Sequence, residues 1–143
     1  NEPHMPLKAY QSMNAYKLFM MDVGLLGALS ELPAEAILEG NDIFIEFKGA
    51  LTEQYVLQQM ISDTPYTPYY YGTDKGTFEQ DFLIQKERNI VPIEVKAEGN
   101  LRSQSLKAYC EKFHPNMAVR LSALKYKEQD WMINLPLYAV CNL

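Results

Sequence analysis

The stretch from Thr77 to Ala97 constrains the fold more than any other. "TFEQDFLIQ" and "NIVPIEVKA" are two apolar runs with the composition of strands, joined across the polar "KERN". They read as a hairpin. A turn centred on Glu87 and Arg88 sets Asp81 opposite Glu94, with Cβ atoms about 4.5–5.5 Å apart. Side chains alternate along a strand, so Glu94 and Lys96 share one face while Ile93 and Val95 point into the other layer. Pro92 disturbs this reading. It lacks an N–H donor and is expected to mark an edge or a bulge, and a bulge would shift the register.

Charges in so apolar a run need a reason, because ionised groups are expensive to bury. Two carboxylates held together repel unless a cation lies between them. A hard divalent ion such as Mg²⁺ suits one or two carboxylates, several waters and a phosphate oxygen. A lysine beside the ion can orient the attacking water or stabilise charge growing on phosphorus. Asp81, then Glu94-x-Lys96, on adjacent strands is therefore a layout for metal-assisted phosphodiester hydrolysis. Glu53, after the small-residue segment "KGALTEQ" of the preceding helix, adds a third carboxylate. An Asp–Glu–Lys cluster is also an ordinary solvated sheet face, and spacing alone leaves both readings open.

The rest of the chain frames the hairpin. "DIFIEFKGALTEQYVLQQMIS" carries apolar residues mostly at helical spacing and predicts a long helix over 42–62. Before it, Leu18–Met21 reads as extended. Asp22 is the expected N-cap of a helix reaching about Glu31. A short helix over 32–40 has Pro33 in its first turn and Gly40 as its stop. "TPYTPYYYG" reads as a loop entering a short strand, and "TDKG" as a turn. "RSQSLKAYCEKFH" reads as a helix capped by Ser103 or Ser105, with His114 at its end. "NMAVRLSAL" and "LPLYAVCNL" read as strands, separated by the polar "KYKEQDWMIN". A helix between strands implies a parallel pair. The expected fold is thus an α/β or α+β layered domain, a mixed sheet with helices on both faces.

Of the 143 residues, 48% are hydrophobic and 22% charged, which fits a globular domain with a sizeable core. The net charge of −5 argues against a dedicated nucleic-acid binder, whose domains carry a basic excess. Lys86, Arg88, Arg102, Lys107 and Lys112 can still make a local basic rim. The helix N-terminus near Arg102 and Ser103 can hold a phosphate. The tyrosines of "YYY" can stack on bases or fill a strand. Cys110 and Cys141 have neither metal nor disulfide spacing and are expected as reduced core or semi-core residues. The apolar "LFMMD" and "VGLLGAL" are expected in the core or against another domain. No apolar run is long enough to span a bilayer, and the expected location is cytoplasmic with no membrane partner.

The segments "AYKLFMMDVGLLGAL", "EGNDIFIEFKGALTEQYVLQQM", "YYYGTDKGTFEQDFLI", "IVPIEVKAEGNLRSQSLKAYCEKF" and "AVRLS" together cover the chain from about residue 14 onward. In series they resemble the PD-(D/E)xK nuclease-like superfamily. More narrowly, they resemble the C-terminal domain of unknown function of predicted AAA-type ATP-binding proteins of bacteria and archaea. The resemblance implies a restriction-endonuclease-like αβββαβ core over 42–143, with 1–41 an extension of the same unit packing near an ATPase domain. It implies Asp81 and Glu94 as ligands of Mg²⁺ or Mn²⁺, Lys96 as the catalytic lysine and Glu53 as an accessory metal acid. Gln80 stands where the superfamily pattern has proline. ATP would belong to an N-terminal domain, since this chain has no G-x-x-x-x-G-K-[ST]. The absence of a leading Met fits a C-terminal piece of such a protein. The implied partners are DNA, that ATPase domain and further copies of the chain. The superfamily also includes members without catalysis, which would serve protein contacts or regulate the ATPase.

Overall fold

The computed structural model describes residues 2–73, 78–97 and 102–143. In chain order these form helices α1 (Leu7–Tyr10), α2 (Val23–Leu29), α3 (Ala34–Glu39) and α4 (Asp42–Asp63). Strands β1 (Tyr69–Gly72), β2 (Glu79–Lys86) and β3 (Asn89–Lys96) follow. Helix α5 (Gln104–Phe113) then leads to β4 (Val119–Ser122), β5 (Lys127–Glu128), β6 (Ile133–Pro136) and a closing 3-10 segment, Leu137–Asn142. The six strands make one sheet in the order β1-β2-β3-β4-β6-β5. Pairs β3–β4 and β4–β6 are parallel and the rest antiparallel, so the fold is a mixed α+β domain with an open sheet. Helix α5 is the crossover that makes β3 and β4 parallel neighbours.

The two long helices cover opposite faces of the sheet. On α4, Val56 and Met60 pack with Phe82, Ile84, Val91 and Ile93 in the main core. The alternate residues Leu83 and Ile90 point the other way and join Tyr109 of α5 and Tyr71. Helix α4 starts where Asn41 Oδ1 accepts the Ile43 and Phe44 N–H groups at 3.1 and 3.3 Å. It ends where the Thr64 hydroxyl donates to Met60 O at 2.6 Å. These caps hold its register over the sheet.

Asp22 caps α2 as expected, accepting Leu25 N–H at 2.7 Å. Helix α2 ends at Leu29, short of Glu31, which takes a φ of 51°. Pro33 is the N-cap of α3 rather than a member of its first turn, and Gly40 stops the helix at φ 62°. His114 ends α5 at φ 48°. The expected strand "LPLYAVCNL" is corrected: only Leu135 and Pro136 belong to β6, and the chain then turns into the 3-10 segment. Proline has no N–H to carry a ladder onward, and the neighbour β4 also ends at that level, at Ser122. The turn instead drops Val140 and Leu143 into the main core. The polar stretch before β6 contributes the short edge strand β5.

Cys110 is half-buried and Cys141 exposed, so the latter is no core residue. The expected core packing of "LFMMD" and "VGLLGAL" holds for Phe19 and Gly27, while Leu18, Met21 and Leu29 are exposed. The "TDKG" turn lies outside the described residues but for Thr73. Among the described residues no helix is long and apolar enough to cross a membrane.

Candidate functional site

The site grows from the β2–β3 hairpin. Its pairs run from Lys86↔Asn89 through Leu83↔Pro92 to Phe82↔Ile93, with Glu87 and Arg88 at the turn. That is the register expected from the sequence, and Pro92 causes no bulge. A two-residue turn is closed by a hydrogen-bonded pair, and such pairs alternate with non-bonded ones. Leu83↔Pro92 is then a non-bonded pair, so the missing N–H of Pro92 faces away from β2. On that side the β4 ladder starts one residue later, at Ile93↔Val119.

The ladder also stops one pair short of Asp81. Beyond Phe82↔Ile93, strand β2 stays with β1 through Tyr71↔Gln80 and Gly72↔Glu79. Strand β3 stays with β4 through Lys96↔Ser122. The sheet forks there, and side chains replace the backbone ladder. Asp81 Oδ2 accepts the Val95 N–H at 2.7 Å, and the Gln80 amide nitrogen donates to Ile93 O at 2.7 Å. Gln80 is fully buried, and its Oε1 has no partner among the described residues. The expected direct facing of Asp81 and Glu94 is thus corrected to a fork with Asp81 in its mouth.

Glu94, only 3% exposed, projects toward α5. Its Oε2 accepts Leu106 N–H at 3.2 Å, and its Oε1 pairs with Lys96 Nζ at 2.7 Å. This corrects the expectation that the α5 N-terminus awaits a phosphate: the anion there is Glu94 itself. Ser103 makes no capping bond to the helix. Its hydroxyl accepts from Arg120 at 3.3 Å.

Glu53 reaches the same region from α4. Its Oε1 pairs with Lys17 Nζ at 2.9 Å, and the same ammonium pairs with Glu79 of β2. Lys17 belongs to the extended segment before α2. Burial works against its charge, yet hydrogen bonds to Glu79 and Glu53 outweigh burial and hold it above the ordinary lysine range. Burial, followed by repulsion from Glu53 and Glu94, raises the Asp81 carboxyl to about 6, against the pull of Val95 N–H and Lys17. Asp81 of β2 thus feels Glu53 of α4 and Glu94 of β3, each of which has its own lysine partner.

These hard oxygen donors are of the type a divalent ion takes. Their arrangement differs from a metal centre. Among the described residues no three His, Cys, Asp or Glu side chains form an ion-holding group. Lysine ammoniums neutralise the acids instead, Lys17 at Glu53 and Lys96 at Glu94. Of the basic rim, Lys112 pairs with Glu2 at 2.9 Å and Lys107 lies 3.8 Å from Glu111. Tyr71 is buried against Phe78, Tyr109 and Phe113, a packing role.

Residues that the sequence reading passed over complete the site. Arg120 of β4 lies beside Glu94 in the sheet and is 2% exposed. Its Nε donates to Asn134 Oδ1 at 2.9 Å, and the Ser122 hydroxyl donates to the same oxygen at 2.8 Å. An arginine inside the apolar "AVRLS" was the available signal. Lys17 gave none, because its partners lie far along the chain.

The chain matches no curated protein and no solved structure. One family model matches residues 48–139, which run from within α4 into the closing segment and so include the whole fork apart from Lys17. The chain belongs to that family, the "Domain of unknown function (DUF4143)".

Proposed function

We propose that this chain is a nuclease-like module with a PD-(D/E)xK core, carried by a longer ATP-binding protein. In this reading Asp81, Glu94 and Lys96, with Glu53, form a phosphodiester-hydrolysing or DNA-binding site that takes Mg²⁺ or Mn²⁺. The observation that carries the reading is the fork. It sets Asp81 where β2 and β3 part, with its carboxylate accepting the Val95 N–H at 2.7 Å and Glu94 on the adjacent strand. The element order α4-β1-β2-β3-α5-β4 supports it, because it follows the αβββαβ plan that the resemblance implies. Asp81 and Glu94 would hold the ion, with Glu53 beside them. Such an ion neutralises charge on a phosphate and lowers the pKa of a bound water. Lys96, next to Glu94, is positioned to steady negative charge on the phosphoryl oxygens.

The test is divalent-ion-dependent cleavage of duplex, single-stranded and branched DNA by the full-length protein. Asp81→Ala and Lys96→Ala should each abolish cleavage that the parent protein performs with Mg²⁺ or Mn²⁺. Cleavage indifferent to both changes rejects the site.

A second reading has its own observation. Both oxygens of Glu94 are committed, one to Lys96 and one to α5, as in a structural residue. On this reading the module is catalytically silent and serves protein contacts or regulates the attached ATPase. Absence of cleavage, together with altered ATP hydrolysis when the module is removed, selects it.

A further inference from the structure

A cavity of about 570 Å³ lies along the free edge of the sheet. Its size falls within the roughly 300–1,000 Å³ of small-molecule sites. The consecutive residues Pro68 to Gly72 all line it. Neighbours on a strand point to opposite faces, so the cavity follows the outer edge of β1 rather than one face. Strand β1 is the first of the sheet, paired with β2. Among the described residues no other segment's backbone bonds to Tyr69–Gly72, so this edge borders the cavity without a strand partner. The opposite wall is the segment before α2, with Ala15 and Tyr16 in it. That wall is anchored. The Gln54 side chain grips Met20 twice, accepting its N–H at 2.8 Å and donating to its carbonyl at 2.9 Å. The floor reaches both apolar clusters, through Phe19 and Phe82 of one and Leu7 and Leu83 of the other.

The charges at this cavity are already matched. Its charged lining residues are Glu2 and Lys17. Glu2 pairs with Lys112 at 2.9 Å, and Lys17 pairs with Glu53 at 2.9 Å and with Glu79. An anion entering here meets no free cation. A cation fares no better. Lys17 stands 5.4 Å from the Tyr70 ring centroid and Lys112 5.9 Å from that of Tyr71, so these rings are already supplied with a cation. A charge taken out of water without a partner is expensive. What the cavity offers instead is ring surface, from Tyr16, Tyr69 and Phe19, beside the polar edge of β1.

We propose that this cavity is a binding site for a small, uncharged aromatic molecule. Its rings lie against the tyrosines, and its polar groups meet the backbone edge of β1. The site is separate from the nuclease reading, because neither Asp81, Glu94 nor Lys96 lines it.

The experiment is an amide NMR titration of the intact protein at neutral pH with related probes. These are 2-naphthol, which is uncharged, 2-naphthoate, its anionic counterpart, and decahydro-2-naphthol, which lacks the aromatic rings. 2-Naphthol should shift the amides of Tyr16 and Tyr69–Gly72. 2-Naphthoate should bind about tenfold more weakly, for want of a free cation. Decahydro-2-naphthol should bind about fivefold more weakly, for want of ring faces. Ala15→Trp places a large ring in the cavity, and Tyr16→Ala removes one from its rim. Tyr16 is 72% exposed, so its loss spares the fold. Each variant should weaken 2-naphthol about fivefold. Tyr138→Ala, outside the cavity, should leave the affinity unchanged. Absence of shifts at Tyr69–Gly72 up to the solubility of 2-naphthol overturns the site. Binding of 2-naphthoate or decahydro-2-naphthol as tight as that of 2-naphthol overturns the ligand class. Affinity for 2-naphthol that either cavity variant leaves unchanged overturns the location. DNA cleavage enters none of these readouts, so this site and the nuclease reading fail separately.

Discussion

Glu94 of β3 caps helix α5 from the sheet: its Oε2 takes the Leu106 N–H at 3.2 Å, while its Oε1 holds Lys96 at 2.7 Å. A carboxylate at a helix N-terminus satisfies an orphan donor and meets the positive end of the helix dipole. Removing it leaves that amide and the neighbouring Arg120 without their buried anion. Glu94→Ala should then destabilise the fold by about 3 kcal/mol, a Tm fall of roughly 10 °C. Glu94→Gln keeps an acceptor for Leu106 and should lose about half as much. Thermal unfolding followed by circular dichroism checks the order of the three proteins. Equal Tm values for Glu94→Ala and the parent would remove Glu94 as a cap.

Asp81 predicts a pH dependence of opposite sign to that of a salt-bridged acid. Its carboxyl lies at about 6 in the fold against an ordinary 3.8, raised first by burial and then by Glu53 and Glu94. Between those values the folded chain holds a proton that the unfolded chain has lost, so stability falls as pH rises. The contribution is fully present below about pH 4 and lost once pH passes about 6. Asp81→Asn removes the buried charge and keeps an oxygen for Val95 N–H. It should stabilise the protein by about 1–2 kcal/mol at pH 8, after allowing for solvent screening, and by almost nothing at pH 4. Urea titrations at the two pH values test this. A variant less stable than the parent at pH 8 would show that Asp81 is held by contacts its charge needs.

The hairpin was legible because it is local. Strand alternation and the turn at Glu87–Arg88 give a register that pairs Phe82 with Ile93, as the sheet has it. The α4 helix was legible from its helical spacing, and the structure extends it by one residue, to Asp63. What escaped depends on distant partners. Nothing near Lys17 announces Glu53 or Glu79, and nothing near Met20 announces Gln54. The fork escaped for another reason. It arises because β2 and β3 each follow their outer neighbour, which is a property of the sheet rather than of the hairpin. The final strand was misread because Leu135 to Leu143 is apolar throughout, and an apolar run does not say where a ladder partner ends.

Asn134 of β6 holds a buried polar network that reaches across to β4. Its Oδ1 accepts from Arg120 Nε and Ser122 Oγ, and its Nδ2 donates to Lys125 O at 2.9 Å. Asn134→Ala strands two buried donors at once. A loss of about 2–4 kcal/mol follows, since each unsatisfied buried group costs on the order of 1–3 kcal/mol. Chemical denaturation with an unchanged m-value would confirm a native-state effect. A loss below about 0.5 kcal/mol would mean that water or a shifted Arg120 replaces the amide.

Glu87 occupies the first turn position of the hairpin with φ 56°, a left-handed conformation that disfavours a side chain. Glycine adopts it without strain, and turns with a positive φ there commonly carry it. The Glu87 carboxylate forms no ion pair among the described residues, so little is lost with the side chain. Glycine also widens the unfolded ensemble, which offsets part of the relief. The balance favours Glu87→Gly by about 0.5–1 kcal/mol, read as a higher denaturation midpoint. A lowered midpoint would show that the Glu87 side chain holds the turn through contacts worth more than the strain.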